Sequence, residues 1–216
     1  MARVVRFTFN PFQENTYLVI DQTKQCALFD PGCASAAERD ELARYIDAEE
    51  LQPVRLINTH CHLDHIFGNA FVARRYGLEL EIHRQELPVL QGAPASAQLF
   101  GIDFREELIE PGRFLAEGQE VVFGHTRLQV LLTPGHSPGS LSFYHAAEGF
   151  LISGDVLFQG SIGRTDLPGG DMATLLRSIR EKLLPLGDEV VVHSGHGPDT
   201  TIGHERRTNP FLTEKG

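Results

Sequence analysis

The sequence predicts an α/β protein of layered β-sheets covered by helices. Short β-rich apolar runs occur in clusters, helix-periodic stretches flank them, and several of the runs end in a turn followed by His or Asp. The first thirty residues alternate strand runs over Val4 to Phe9, Tyr17 to Ile20 and Ala27 to Phe29 with turn residues at Asn10, Pro11, Asp21, Gln22, Pro31 and Gly32, which predicts an antiparallel opening. Ser35 and Glu38 have the capping-box spacing, and Leu42, Tyr45 and Ile46 follow at helical intervals, so a helix is expected from about Ala36 to Glu49. Val54 to Asn58 reads as a strand and Leu63 to Tyr76 as a helix closed by Gly77. Leu78, Leu80 and Ile82 then alternate as a strand.

The stretch from about Arg84 to Gly118 is poorly patterned. Beyond it, strands are expected over Glu120 to Phe123, Leu128 to Leu132, Leu141 to Tyr144, Phe150 to Ile152 and Val190 to Val192, with a helix from Met172 to Leu184. No low-complexity tract or linker divides the 216 residues, so one domain over 1–216 is expected, long enough to bury a substantial core.

Composition narrows the function. Lys and Arg number 19 against 29 Asp and Glu, a formal charge of −10, and no basic cluster is present to neutralise phosphates, which argues against nucleic acid as a partner. The apolar runs are too short for a bilayer span. The first residues lack the apolar core and cleavage site of a secretory signal, so a cytoplasmic location is expected. Three cysteines, Cys26, Cys33 and Cys61, have no C-x-x-C spacing and are expected as reduced thiols. The outlier is histidine, with ten residues unevenly spread.

Four apolar strands each run into a metal-type side chain. Leu56 and Ile57 lead to Thr59, His60, Cys61, His62, Leu63, Asp64 and His65; Val130 to Leu132 lead to Gly135 and His136; Phe150 to Ile152 lead to Gly154 and Asp155; Val190 to Val192 lead to Gly195 and His196. In layered α/β proteins, sites collect beyond the carboxyl ends of strands. His60 and His62, two apart in extended chain, lie on one side and can share an ion. Asp64 and His65 open the next helix and point toward a second. Imidazole and carboxylate donors suit zinc, iron or manganese. His83, His125, His145, His193 and His204 lack the turn-glycine context and are read as ordinary residues, His193 being near enough to support a ligand. Cys61 is read as packing. Asp30 is read as a turn former, with hydrogen bonding to a ligand as the other possibility.

The run His60 to His65, H-x-H-x-D-H, followed by separate His, Asp and His elements, resembles the metallo-β-lactamase superfamily. Within it, Ile152 to Asp171, Leu183 to Thr201 and Glu205 to Leu212 resemble the glyoxalase II group, the hydroxyacylglutathione hydrolases, and in particular its compact one-domain bacterial type. The resemblance implies a four-layer αββα sandwich with two mixed β-sheets and helices on the outer faces. It also implies one metal on His60, His62 and His136, a second on Asp64, His65 and His196, and Asp155 bridging them, with Asp64 and Asp155 as the catalytic carboxylates. The ions are expected to be two divalent metals per chain, zinc first, with iron or manganese as alternatives. The activity implied is hydrolysis of a glutathione thioester of the S-D-lactoylglutathione kind by a metal-bridging hydroxide. Two divalent ions bring about +4 and two aspartates about −2, so a local charge near +2 would draw an anionic substrate. The helical domain that contacts glutathione in larger members has no counterpart in the twenty residues after His196, and a Lys-Phe-Tyr run there is replaced by Arg164, Thr165 and Asp166. Arg164 is the expected clamp for a glutathione carboxylate. The same segment, Gly163 to Asp166, also resembles the persulfide dioxygenases. Those are mononuclear iron enzymes that would use His60, His136 and Asp155 on glutathione persulfide. A β-lactamase is disfavoured by the absence of an export signal. The protein is expected to act on a small molecule as a monomer or small homo-oligomer, with no membrane partner.

Overall fold

The structure is a computed structural model that describes residues 1–213. It contains two six-stranded mixed sheets and a small hairpin, with helices in the connections. The chain divides into two compact units, Met1–Leu115 with Val122–Thr126, and Ala116–Val121 with the chain from Arg127 onward.

The first sheet has the order β1 (Arg3–Phe9), β2 (Glu14–Ile20), β3 (Gln25–Phe29), β4 (Gln52–Ile57), β5 (Leu80–His83), β6 (Pro111–Leu115). β1, β2 and β3 pair antiparallel, as the opening run predicts, and β3 to β6 pair parallel. Parallel neighbours need a crossover. The crossovers here are α1 (Ala36–Ala48), then α2 (Leu63–Ile66) with α3 (Asn69–Tyr76), then α4 (Leu87–Gln91) with α5 (Ala93–Leu99). The capping box on α1 is formed: Glu38 N donates to Ser35 Oγ, and Ser35 N donates to Glu38 Oε2. The helix buries Leu42, Ala43 and Ile46 in a core shared with Leu18, Leu28, Leu56, Leu80 and Ile82. Each fully buried aliphatic side chain is worth about 1.5–3 kcal/mol.

Two expectations are corrected here. The helix read from Leu63 to Tyr76 is two helices, because Gly68 N donates to Pro31 O at 2.6 Å and the backbone presses so close that a Cβ at Gly68 would lie 2.4 Å from Cys33 Sγ. Gly77 does close the second, at φ +66°. The unpatterned middle contains α4, α5 and β6. β6 is an edge strand that starts on Pro111, where a missing N–H costs least, and its Pro-Gly opening hides the strand signal.

The second sheet has the order β14 (Thr200–Thr201), β13 (Val191–Ser194), β10 (Phe150–Gly154), β9 (Leu141–His145), β8 (Thr126–Leu132), β7 (Glu120–Phe123). β10 pairs parallel with β13 and antiparallel with β9. Between β10 and β13 lie the hairpin β11 (Leu157–Phe158) with β12 (Ser161–Ile162), and the helix α6 (Met172–Ser178). α6 is shorter than expected: the chain continues as a π turn over Ile179–Leu183. Leu151, Val156, Leu175, Ile179, Leu183, Val192 and Ile202 form the core of this unit. The chain then adds α7 (Ile202–Thr208) and α8 (Pro210–Thr213), which the sequence reading left unassigned. Among the described residues no helix is long and apolar enough to cross a membrane.

Candidate metal centre

In the first unit, β4 ends at Ile57 and the next eight residues carry four of the expected ligands. His60 and His65 are fully buried, whereas His62 and Asp64 are partly exposed. The His60 and His62 rings meet edge-on at 4.8 Å between centroids, as the two-residue spacing requires, and His60 and His65 lie 4.1 Å apart. Asp64 and His65 do open a helix. The N-cap position is His62 rather than Asp64, so capping does not account for the Asp64 carboxylate.

The tautomers follow from donor accounting. Thr59 Oγ1 donates its only proton to Asp30 Oδ2 at 2.6 Å, so its 3.1 Å contact with His60 Nδ1 is a bond donated by the imidazole. That makes Nε2 the lone-pair nitrogen of His60. Carboxylates flank the His65 ring on both sides: Nδ1 lies 3.1 Å from Asp30 Oδ2, and Nε2 lies 3.7 Å from Asp64 Oδ2. The turn reading of Asp30 holds, and its carboxylate reaches the ligand loop through Thr59 and Asn58. It turns the chain at φ +47°, and its carboxylate also takes Thr59 N at 2.6 Å and Asn58 Nδ2 at 3.3 Å. Asp30, His60 and His65 are close enough together to hold an ion themselves. The Asp30 oxygens are already taken by these donors, which makes it a support for the imidazoles.

The supports that the sequence reading did not identify are amides and carboxylates behind the loop. Asn58 Nδ2 donates to His65 O at 2.8 Å, Asn10 Nδ2 to Asp64 O at 3.0 Å, and Cys61 N to the buried Glu86 Oε2 at 2.8 Å. Glu14 Oε1 stands 3.9 Å from His65 Nδ1. Burial pushes the Glu14 carboxyl well above its usual range, against the pull of His65. Asn58 borders the motif and was open to suspicion. Glu86 lies in the unpatterned stretch and had no signal. Cys61 is buried as read; its thiol is raised by burial, and burial also lifts Cys26 and Cys33 to about 12, so all three are free, inert thiols.

In the second unit, His136, Asp155 and His196 converge. Asp155 Oδ2 lies 3.6 Å from His136 Nε2 and 3.5 Å from His196 Nε2. Donors at about 2.1 Å around a tetrahedral ion stand roughly 3.4 Å apart, so Asp155 is spaced from each imidazole as two donors to a common ion are. His136 Nδ1 donates to the Arg164 carbonyl at 2.7 Å, again leaving Nε2 forward. The turn that presents His136 needs glycine: Gly135 has φ +129°, and a Cβ there would lie 2.3 Å from Leu175 N. α6 is fastened on this turn by Asp171 N to Gly135 O at 2.8 Å and Ser178 Oγ to Pro134 O at 2.7 Å. His193 lies 3.2 Å from Asp199 Oδ2 on the loop around His196. The Arg164 guanidinium makes a two-point bond to Asp166, both at 2.7 Å, and holds that carboxyl down at about 2.

The metallo-β-lactamase superfamily model matches residues 9–196. The chain belongs to the metallo-β-lactamase superfamily. It is 43% identical over 210 residues to the probable metallo-hydrolase YqgX of Bacillus subtilis, covering 96% of each chain. It is also 38% identical over 205 residues to the hydroxyacylglutathione hydrolase GloC of Haemophilus influenzae, covering 94% of this chain and 95% of the other. This likeness supports the glyoxalase II group. Among solved structures, the BLEG-1 B3 metallo-β-lactamase superposes with a TM-score of 0.90 at 38% identity, over 98% of this chain and 100% of that one. TTHA1623 in a di-iron-bound form gives 0.86 at 40%, over 96% and 100%. ETHE1 from Myxococcus xanthus gives 0.78 at 25%, over 100% and 86%. The two mixed sheets and their helices match the fold of these neighbours, and the protein is a metallo-hydrolase of that superfamily with His and Asp groups for divalent metals.

Proposed function

We propose that the protein hydrolyses a glutathione thioester of the S-D-lactoylglutathione kind as a binuclear metal enzyme, the whole 1–216 chain acting as one catalytic domain. In this reading His60, His62 and His136 hold one ion, Asp64, His65 and His196 the other, and Asp155 bridges them. Zinc is the first choice, with iron or manganese as alternatives. The observation that carries the reading is the Asp155 carboxylate oxygen facing two imidazole Nε2 atoms at 3.5 and 3.6 Å. When bound, such ions supply Lewis acidity toward a carbonyl and activate water near neutral pH.

The residues of the chain do the rest. Thr59, held by Asp30, and the Arg164 carbonyl fix the tautomers of His60 and His136, so these two donors are oriented before substrate arrives. Asp64 and Asp155 supply the negative charge that holds the ions, and they accept hydrogen bonds from the attacking water. The leaving thiol has an ordinary pKa near 8.5, so it departs as thiolate without a strong general acid. Arg164 is assigned to a glutathione carboxylate, which takes the place of Asp166 on the guanidinium. The substrate is a small anionic molecule, and the chain acts as a monomer or small homo-oligomer.

The test is to assay one purified sample for S-D-lactoylglutathione hydrolysis, β-lactam hydrolysis and oxygen uptake with glutathione persulfide. We expect thioester hydrolysis to dominate and Arg164→Glu to raise KM for the thioester. Oxygen uptake on the persulfide with one iron per chain would establish the dioxygenase reading instead, to which the segment Gly163 to Asp166 lends weight.

A further inference from the structure

Asp155 and Arg164 are the two ends of one hairpin. β11 and β12 pair antiparallel, with Leu157 opposite Ile162 and Phe158 opposite Ser161. Asp155 precedes the hairpin, and Gly163 and Arg164 follow it. The ends press together: a Cβ on Gly163 would lie 2.0 Å from Asp155 O and 3.1 Å from His136 Cβ. The setting of this hairpin therefore fixes both the Asp155 carboxylate and the carbonyl that orients His136. Two strands of two residues cannot hold a setting by themselves.

What holds it comes from the C-terminal segment. The Glu205 carboxylate, fully buried at the middle of α7, accepts Gly160 N at 2.9 Å and Asn209 Nδ2 at 2.8 Å on Oε2, and Thr200 Oγ1 at 2.5 Å on Oε1. His204 Nε2 is 3.9 Å away. Asn209, equally buried, donates from the same Nδ2 to Ser161 O at 2.9 Å. The tip of the hairpin is thus gripped at adjacent residues, Gly160 through its N–H and Ser161 through its carbonyl. A buried carboxylate is costly unless its oxygens are filled, and bonds to a charged acceptor are about twice as strong as neutral ones. The grip is correspondingly stiff.

We propose that Glu205 and Asn209 are positioning residues: through the hairpin tip they keep the Asp155 carboxylate and the Arg164 carbonyl in register with His136 and His196. The role rests on the ligand assignment proposed above. It is tested on the purified full chain by zinc affinity, measured in competition with a chromophoric chelator, alongside kcat and KM for S-D-lactoylglutathione. Asn209→Ala should lose about tenfold in zinc affinity, the scale seen when outer partners of ligands are removed, and should lose kcat with KM held within about twofold. Glu205→Gln, which keeps an oxygen for Gly160 and Asn209, should recover most of the affinity lost in Glu205→Ala. Ile46→Val is the control: it thins the core of the first unit, whose buried cluster contains no hairpin residue, and lowers Tm. Should Asn209→Ala fail to fold, Asn209→Ser is read the same way. Wild-type affinity in the folded Asn209 variant, or an equal loss in Ile46→Val, overturns the positioning role alone. A wild-type chain that takes up no zinc overturns the ligand assignment and this role together.

Discussion

Single carboxylates in this chain do opposite work according to what surrounds them. Asp21 is almost fully buried, which by itself would raise its pKa, yet bonds from Thr23, Thr126 and His125 win and pull it well below its usual 3.8. A depressed carboxyl stabilises the folded state above its unfolded pKa, and that contribution is lost as pH falls through the folded value. Asp21→Asn should therefore lower stability by about 2 kcal/mol at pH 7, the worth of hydrogen bonds to a charged group. The gap from wild type should close as pH drops below 3.8. Urea unfolding across pH checks this, and a constant gap at all pH values would refute it. The candidate ligands were legible at this scale because His and Asp at turn positions have few other uses in such density. Their supports were not: Asn10, Glu86 and Asn209 are single polar residues whose role exists only once distant backbone N–H and C=O groups are brought to them.

Elements whose signals are local were readable, and elements set by contact were not. The capping box of α1 sits in four consecutive residues and formed as read, and the candidate ligands follow the ends of β4, β8, β10 and β13. The break between α2 and α3 was invisible because Pro31, thirty-seven positions away, imposes it on Gly68. The register of α6 on its neighbouring turn makes a prediction of the same kind. Gly135→Ala combines a left-handed φ with a Cβ driven into Leu175, so it should cost roughly 3 kcal/mol or more and lower Tm by about 10 °C. Gly149→Ala, at φ +65° with open space around it, should cost only about 1 kcal/mol, the backbone penalty alone. Equal losses at the two sites would mean that α6 does not pack on the His136 turn as described.

At the scale of the whole molecule, a chain of net charge −10 carries imidazoles and a few aspartates beyond its strand ends, where cations can offset the carboxylates. The α/β class and the superfamily were legible because the ligand motif and the order of strands and helices run through most of the sequence. The division into two compact units was not, since each unit is closed by contacts between segments far apart in the chain. The central claim is that Asp155, set between His136 and His196, serves as a ligand common to two ions. The most direct measurement is metal content per chain by elemental analysis of the protein loaded with zinc and freed of excess, for wild type and Asp155→Ala. We predict about two zinc ions per wild-type chain and at most one, weakly held, in the variant. Two tightly held ions in Asp155→Ala, or one ion in both proteins, would contradict the account.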